Sequence, residues 1–270
     1  MIKIFFTLLL TTGVVYGQET VALYNAERFA FQVKQIEEFI ERFNNTDKTL
    51  IKQYLRTHYQ QEVSREDLVL SLFDHADREW KEEETRQFLE EVVDNNEPPY
   101  LSFYDHDWYA KVICQANYLG QNTSFDLVMG VITNPEDSTV NWEVRSLHAD
   151  FMDAHEEVHF STLLPPNGHG TNFLGLRRIF MDPLHYVDST RSENNAMNRL
   201  LQLAQRDALE FTGVKAVSYH FLQLHHWIIR VEEFDRKEAN NGWLISDLIP
   251  ADAEEKQAYR HQQLYLDPSQ

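Results

Sequence analysis

Among 270 residues there is a single cysteine, Cys114, so no intrachain disulfide can form. That is unusual for a small secreted eukaryotic domain but ordinary for a bacterial envelope protein. Stability is left to a core that a chain of this length can build. Basic residues are also scarce: 24 Lys and Arg stand against 43 Asp and Glu, a formal charge of −19. Such a surface repels nucleic acid and anionic membranes, and it favours solubility without pointing to an activity. Beyond the first residues no run is apolar enough to cross a bilayer, so no membrane span is expected in the mature chain. No G-x-S-x-G nucleophile elbow, no phosphate loop ending in Lys-Ser/Thr and no G-x-G-x-x-G dinucleotide loop occurs. No cofactor is expected.

What is present begins with MIKIFFTLLLTTGVVYG. Lys3 supplies a positive start, Ile4 to Leu10 a short apolar run, and Val15 and Gly17 the small residues before Gln18. Residues 1–17 are expected to be a cleaved signal peptide, with the mature protein secreted or periplasmic. A membrane anchor is the alternative, and the apolar run is short for it.

Two periodicities divide the rest. Over 22–44, Ala26, Phe29, Val33, Ile36, Ile40 and Phe43 recur at helical spacing, with Glu37, Glu38, Glu41 and Arg42 opposite. Further helices are expected over 48–58, from the Ser64-x-x-Asp67 capping box to about Phe73, and over 77–93. From Trp108 the period becomes two. Trp108, Ala110, Val112, Cys114, Ala116 and Tyr118 share one face of a half-buried strand over 108–118. Strands around 125–131 and 140–147 follow after short turns, an antiparallel meander. Residues 151–191, rich in His, Pro and Gly, read as an irregular connection. Ser192 caps a helix to about Phe211. Strands follow at 215–224, 226–236 and 242–249, the last two joined by Asn240-Asn241-Gly242, and the tail from Ala251 is a polar helix.

The two strand regions echo each other. His106-Asp107-Trp108 through Val112 matches His226's neighbourhood, His225-His226-Trp227 through Val231, and Trp142 through Leu147 matches Trp243 through Leu248. Duplication of a helix-plus-meander unit is one reading; the liking of Trp for strands is the other. The organisation expected is a first unit over 18–150, the connection 151–191, a second unit over 192–250 and a tail over 251–270. The fold class is α+β, with helices packed on curved antiparallel sheet.

The helix ending FIERFN (39–44), the helices after it and a meander closing on NWEVRSLH (141–148) resemble the nuclear transport factor 2-like, cystatin-like superfamily. That resemblance covers about 20–150. The superfamily includes polyketide cyclases, ketosteroid isomerases and many non-catalytic modules, so it implies a fold and a sheet-mouth pocket, not a reaction. PPNGHGTNFLGL (165–176) and NNGWLISDL (240–248) further resemble secreted, uncharacterised two-part proteins of gut-type Bacteroidetes.

Several residues are candidates for chemistry. His155, Glu156 and His159 satisfy H-E-x-x-H, but a zinc site needs them on a helix and a third ligand; Thr162 and Pro165 occupy the positions of the extended form. His155 and His159 are therefore metal candidates only, and no metal is favoured. Asp105 and His106, before Trp108, could form an acid/base pair at the sheet mouth, or simply a polar turn. His169, in the NGHG turn, caps that turn or lines a cleft. Trp108, Tyr109, His225 and Trp227 are candidate binding residues, against the alternative of core tryptophans beside satisfied histidines. Cys114 reads as a buried, inert thiol. Asp137-Ser-Thr and Asp188-Ser-Thr fit a short O-glycosylation pattern.

The function expected is non-catalytic binding of a small apolar or glycan-type ligand, or of a protein partner in the cell envelope. The alternative is a small-molecule isomerase, dehydratase or cyclase using the Asp/His pair. A zinc hydrolase through HEEVH ranks below it.

Overall fold

The period-2 stretch at 108–118 becomes the central strand. β1 (Trp108–Tyr118) buries Trp108, Ala110, Val112, Cys114 and Ala116 on one face, as its alternation requires. The structure, a computed structural model, describes residues 31–76, 79–93, 97–133, 140–186, 195–236 and 240–267. The signal segment, both Asp-Ser-Thr sites and the expected cap Ser192 lie outside those residues.

On one side of β1 run β2 (Gln121–Thr133), β3 (Val140–Ala149) and β4 (Ala154–Leu164). On the other side run β5 (Leu209–Phe221), β6 (Trp227–Phe234) and β7 (Gly242–Pro250). They form one seven-stranded sheet in the order β4-β3-β2-β1-β5-β6-β7, and each neighbouring pair is antiparallel. The α+β class holds. The β1–β5 pairing runs from Trp108 opposite Phe221 to Tyr118 opposite Leu209, so the two meanders are joined along a full-length seam. Trp142 and Trp243 both lie two strands out from that seam, on β3 and β7. Trp108 and Trp227 do not correspond in this way, because one is on β1 and the other on β6. One half of the sequence echo thus matches the topology and the other does not.

The helices are α1 (Ile36–Phe43), α2 (Leu50–Tyr59), α3 (Arg65–Leu70), α4 (Glu82–Val92), α5 (Leu176–Met181), α6 (Pro183–Tyr186), α7 (Ala196–Gln205) and α8 (Ala253–Leu264). Apolar side chains of α1, α4, α5 and α7 share one core with the Trp108 face of the sheet. α8 lies on the opposite face, where Leu264 and Tyr259 pack with Val128, Leu222 and Ile228. Its start is a full capping box: Asp252 accepts from the Glu255 backbone, and the Glu255 side chain accepts from the Asp252 N–H.

Four expectations need correction. The segment 151–191 is not irregular: it contains β4, a 3-10 turn over Pro166–Thr171, α5 and α6. Val158, Phe160, Thr162 and Leu164 alternate inward on β4, a period-2 pattern that the Pro and Gly content nearby obscured. The helix expected from a Ser192 cap to Phe211 runs only from Ala196 to Gln205, and Asn195 caps it by accepting the Met197 N–H at 2.8 Å. Asp207, at φ 56°, turns the chain so that Leu209 already opens β5.

Of the helix expected over 22–44, 22–30 lie outside the described residues, and the rest is broken at Val33, which bridges to Gly242 at the sheet edge; α1 runs from Ile36. Its polar side is not simply solvated. Arg42 is fully buried: its Nη2 donates to Glu38 Oε1 at 2.6 Å and to the Gln32 carbonyl at 3.0 Å, and its Nη1 donates to the Phe31 carbonyl at 3.0 Å. Finally, the hairpin expected at Asn240-Asn241-Gly242 between the last two strands is present, though its connection over 235–241 is longer than a two-residue turn. Phe234 pairs with Gly242, and the asparagines instead tie down neighbouring chain. Asn240 Nδ2 donates to the Ser71 and Phe73 carbonyls, and Asn241 Nδ2 to that of Arg236.

Candidate functional site

HEEVHF lies on β4, and a strand breaks the zinc-protease geometry. At roughly 3.3 Å per residue, His155 and His159 share a face but sit about 13 Å apart, too far to ligate one ion. Glu156 points to the other face. Its Oε1 accepts the Ala196 N–H at 2.5 Å, with Arg199 at 3.5 Å, so it caps α7. His159 sits between Glu157 (3.4 Å) and Glu143 (3.6 Å). His155 meets its cross-strand partner His148, Nδ1 to Nδ1, at 2.6 Å.

The helix-side face of the sheet, which carries the candidate binding residue Trp108, is filled. Trp108 stacks on Phe221 at 5.2 Å and meets Trp142 edge-on at 5.3 Å, while Tyr219 packs on Trp243 at 4.8 Å. Trp108 donates its indole N–H to the Phe103 carbonyl at 3.1 Å, which leaves it a satisfied core residue. Trp227 is buried edge-on against Phe88, with its N–H on Glu91 at 3.1 Å. His225 and His226 both face solvent, and His226 also reaches Glu91, at 3.0 Å. His169 is buried, packs near Phe103 and Trp142, and bonds Glu37 at 2.6 Å. Burial works against the Glu37 charge, but the bond and charge of His169 outweigh it and hold this carboxyl below its usual range. This pair ties the NGHG turn to α1. Cys114 is wholly buried, and burial pushes its thiol well above the usual range, which leaves it inert.

A polar cleft of about 190 Å³ opens instead on the α8 face, and Asp105 and His106 are on its rim. Its floor is Gly130. A Cβ there would fall 3.0 Å from Arg145 Cγ and 3.8 Å from the Tyr109 ring, so the glycine lets both side chains lie across β2. Asp107, at φ 65°, turns the chain into β1 and holds Arg260 of α8 at 2.7 Å. Arg260 also lies beside the Tyr109 hydroxyl. Burial and the Asp107 charge nonetheless raise that phenol, so Tyr109 keeps its proton and can donate. On the β4 side, Glu157 accepts the Asp267 N–H at 2.9 Å, which closes the C-terminal segment over the cleft. Of the expected site residues, Asp105, His106, Trp108 and Tyr109 come together here. Arg145, Glu157 and Arg260 were not anticipated, since only the strand register and the return of α8 bring them close.

A second polar chain was also not anticipated. Ser218 Oγ meets His220 Nε2 at 2.9 Å, and His220 Nδ1 meets the Tyr259 hydroxyl at 2.7 Å. It resembles a nucleophile–base–orienter relay, but burial lowers His220 to about 3. A base so weak near neutral pH cannot activate the serine hydroxyl, so the chain pins α8 to β5. Comparison with known proteins finds no matching family model, no matching curated protein and no matching solved structure.

Proposed function

We propose that this protein is a non-catalytic binding protein that works outside the cytoplasm and holds a small glycan-type ligand in the α8-face cleft. The observation that carries this is the contrast between the two faces of the sheet. The helix-side face is filled with aromatic core, and the α8 face presents Tyr109 among convergent arginines and carboxylates. Planar, multiply bonding groups beside one aromatic ring suit the hydroxyls and the apolar patch of a sugar. At about 190 Å³ the cleft is below the roughly 300–1,000 Å³ of drug-sized sites, which fits one sugar ring better than an extended apolar ligand. Asp107–Arg260 and Glu157–Asp267 are mutually satisfied before any ligand enters, which supports binding over turnover. The nuclear transport factor 2-like reading of 18–150 belongs to the same proposal. It is supported by helices that precede an antiparallel meander, and the secreted location by the signal-like residues 1–17.

The alternative with an observation behind it is an enzyme using Asp105 and His106, since both line the cleft. Titration calorimetry against monosaccharides and short oligosaccharides tests the two together. A saccharide bound tighter than about 1 mM, weakened at least tenfold by Tyr109→Ala and recovered unchanged, is the expected result. Recovery of an isomerised, dehydrated or cyclised product, lost in Asp105→Asn, would replace binding with catalysis. No heat with any saccharide would overturn the glycan reading.

A further inference from the structure

The tip of the β3–β4 hairpin gathers metal-binding groups apart from the cleft. His148 and His155 are cross-strand partners, and the chain between them makes a 3-10 turn over Asp150–Met152. Asp150 Oδ1 lies 3.4 Å from His148 Nε2 and 3.7 Å from His155 Nε2. Asp153, in the left-handed region at φ 49°, brings a second carboxylate to 3.9 Å from His155 Nε2. The ligand atoms of His148, Asp150 and His155 all lie within 4.8 Å of one another. Around a tetrahedral ion with bonds of about 2.0–2.1 Å, neighbouring ligand atoms are about 3.3 Å apart. The two edges at Asp150, 3.4 and 3.7 Å, are close to that value.

One ring is already held in place. His148 stacks on Tyr265 at 4.3 Å and 9°, and Lys111 covers the same Tyr265 ring at 4.8 Å. Without an ion, a contact of 2.6 Å between the two Nδ1 atoms requires one shared proton. Ligation through both Nε2 atoms puts a proton on each Nδ1, so the more exposed His155 ring must turn away from the fixed His148. Two neutral imidazoles and one or two carboxylates suit a borderline divalent ion better than Mg²⁺ or Ca²⁺.

We propose that His148, His155 and Asp150 form a site for a divalent transition-metal ion of the Zn²⁺ class, with Asp153 as a fourth ligand. The site does not use the H-E-x-x-H pair. Glu156 is committed to α7, and His159 is four residues farther along β4, about 13 Å from His155. Nor does it depend on the glycan reading.

The test uses the full secreted chain without a histidine tag, with Zn²⁺ alone in calorimetry and Co²⁺ in absorption spectroscopy. Wild type should bind about one Zn²⁺, and Co²⁺ should give the intense visible bands of a tetrahedral site. His155→Ala, at an exposed position, should weaken Zn²⁺ by roughly 100-fold or more, and Asp150→Asn should weaken it as well. His159→Ala should bind as wild type does, and neither change at the hairpin tip should alter saccharide binding. Equal Zn²⁺ affinity in His155→Ala and wild type would overturn the proposal. So would loss in His159→Ala, or no Zn²⁺ heat from folded wild type.

Discussion

Gly242 rests against the backbone of Val33: a Cβ built on it would fall 1.8 Å from the Val33 carbonyl oxygen. The contact works as a two-sided clasp. Val33 N–H donates to the Asn241 carbonyl at 3.1 Å, and Trp243 N–H donates to the Val33 carbonyl at 2.8 Å. Farther along β7, Ile245 bonds the Leu72 carbonyl at 2.7 Å, and Asp74 N–H bonds the Ile245 carbonyl at 3.1 Å. Two non-helical segments flanking α1 to α3 thus cover the outer edge of β7, where unpaired N–H and C=O groups would otherwise invite another strand.

Gly242→Ala should therefore be among the most damaging single methyl additions in the chain. The φ of 90° is strained for any L side chain, and the obstacle is backbone, which cannot step aside. A loss of about 3 kcal/mol or more is expected, seen as a fall in melting temperature of roughly 10 °C. Gly213→Ala is the control. Nothing lies within 4 Å of its Cβ position, and the change should stay within about 0.5 kcal/mol. Similar melting temperatures for the two variants would sink the clasp.

The Arg42–Glu38 pair gives a second expectation. Breaking a buried ion pair from one side leaves an unmatched charge, which costs about 3–5 kcal/mol. Glu38→Gln and Arg42→Met should each lose on that order in urea unfolding. Arg42→Lys should recover little. The two terminal nitrogens of Arg42 serve Phe31, Gln32 and Glu38 in a fork that a single ammonium cannot reproduce. Full recovery in the lysine variant would show that charge alone matters there.

These residues also mark where the sequence is readable. β1 was legible because Trp108 to Tyr118 alternates over a full strand, and α8 only as a polar helix in the tail from Ala251, its Asp252–Glu255 capping box going unread. β4 carried the same kind of signal as β1 in Val158, Phe160, Thr162 and Leu164, but the Pro and Gly that follow at 165–175 made the whole segment read as irregular. Arg42 looked solvated because helical periodicity assigns faces and says nothing about what folds over the polar one. The cleft was half legible. Asp105, His106 and Tyr109 are local in sequence, while Arg145, Glu157 and Arg260 arrive through register and chain return. The His148–His155 contact was illegible for the same reason, since it is a property of pairing alone.

Glu156 offers a direct check on what HEEVHF does. As a cap on Ala196, its loss in Glu156→Ala should cost about 1 kcal/mol of stability and leave metal content unchanged. A zinc hydrolase would show the opposite pattern, with stability kept and turnover lost. Unfolding curves and metal analysis on the same preparation separate the two.

His220 should make stability fall on mild acidification. Burial, followed by the charges of Lys111 and Arg230, lowers its folded-state value to about 3, whereas an unfolded histidine titrates near 6.5. Above pH 6.5 neither state binds the proton, and the contribution of neutral His220 is intact. Between pH 6.5 and about 3 the unfolded chain takes up a proton that the native state refuses, so stability drops by about 1.4 kcal/mol per pH unit at its steepest. The carboxylates titrate mostly below pH 5, so the window from 6.5 to 5 isolates the histidine. There the stability gap between wild type and His220→Asn should shrink by roughly 2 kcal/mol, because the asparagine variant has no such proton to take up. His148 is also lowered, by burial and then by His155, but it is common to both proteins and cancels in the difference. A gap that stays constant across this window would mean that folded His220 takes up its proton as readily as the unfolded chain does, and that its bonds to Ser218 and Tyr259 do not hold it neutral.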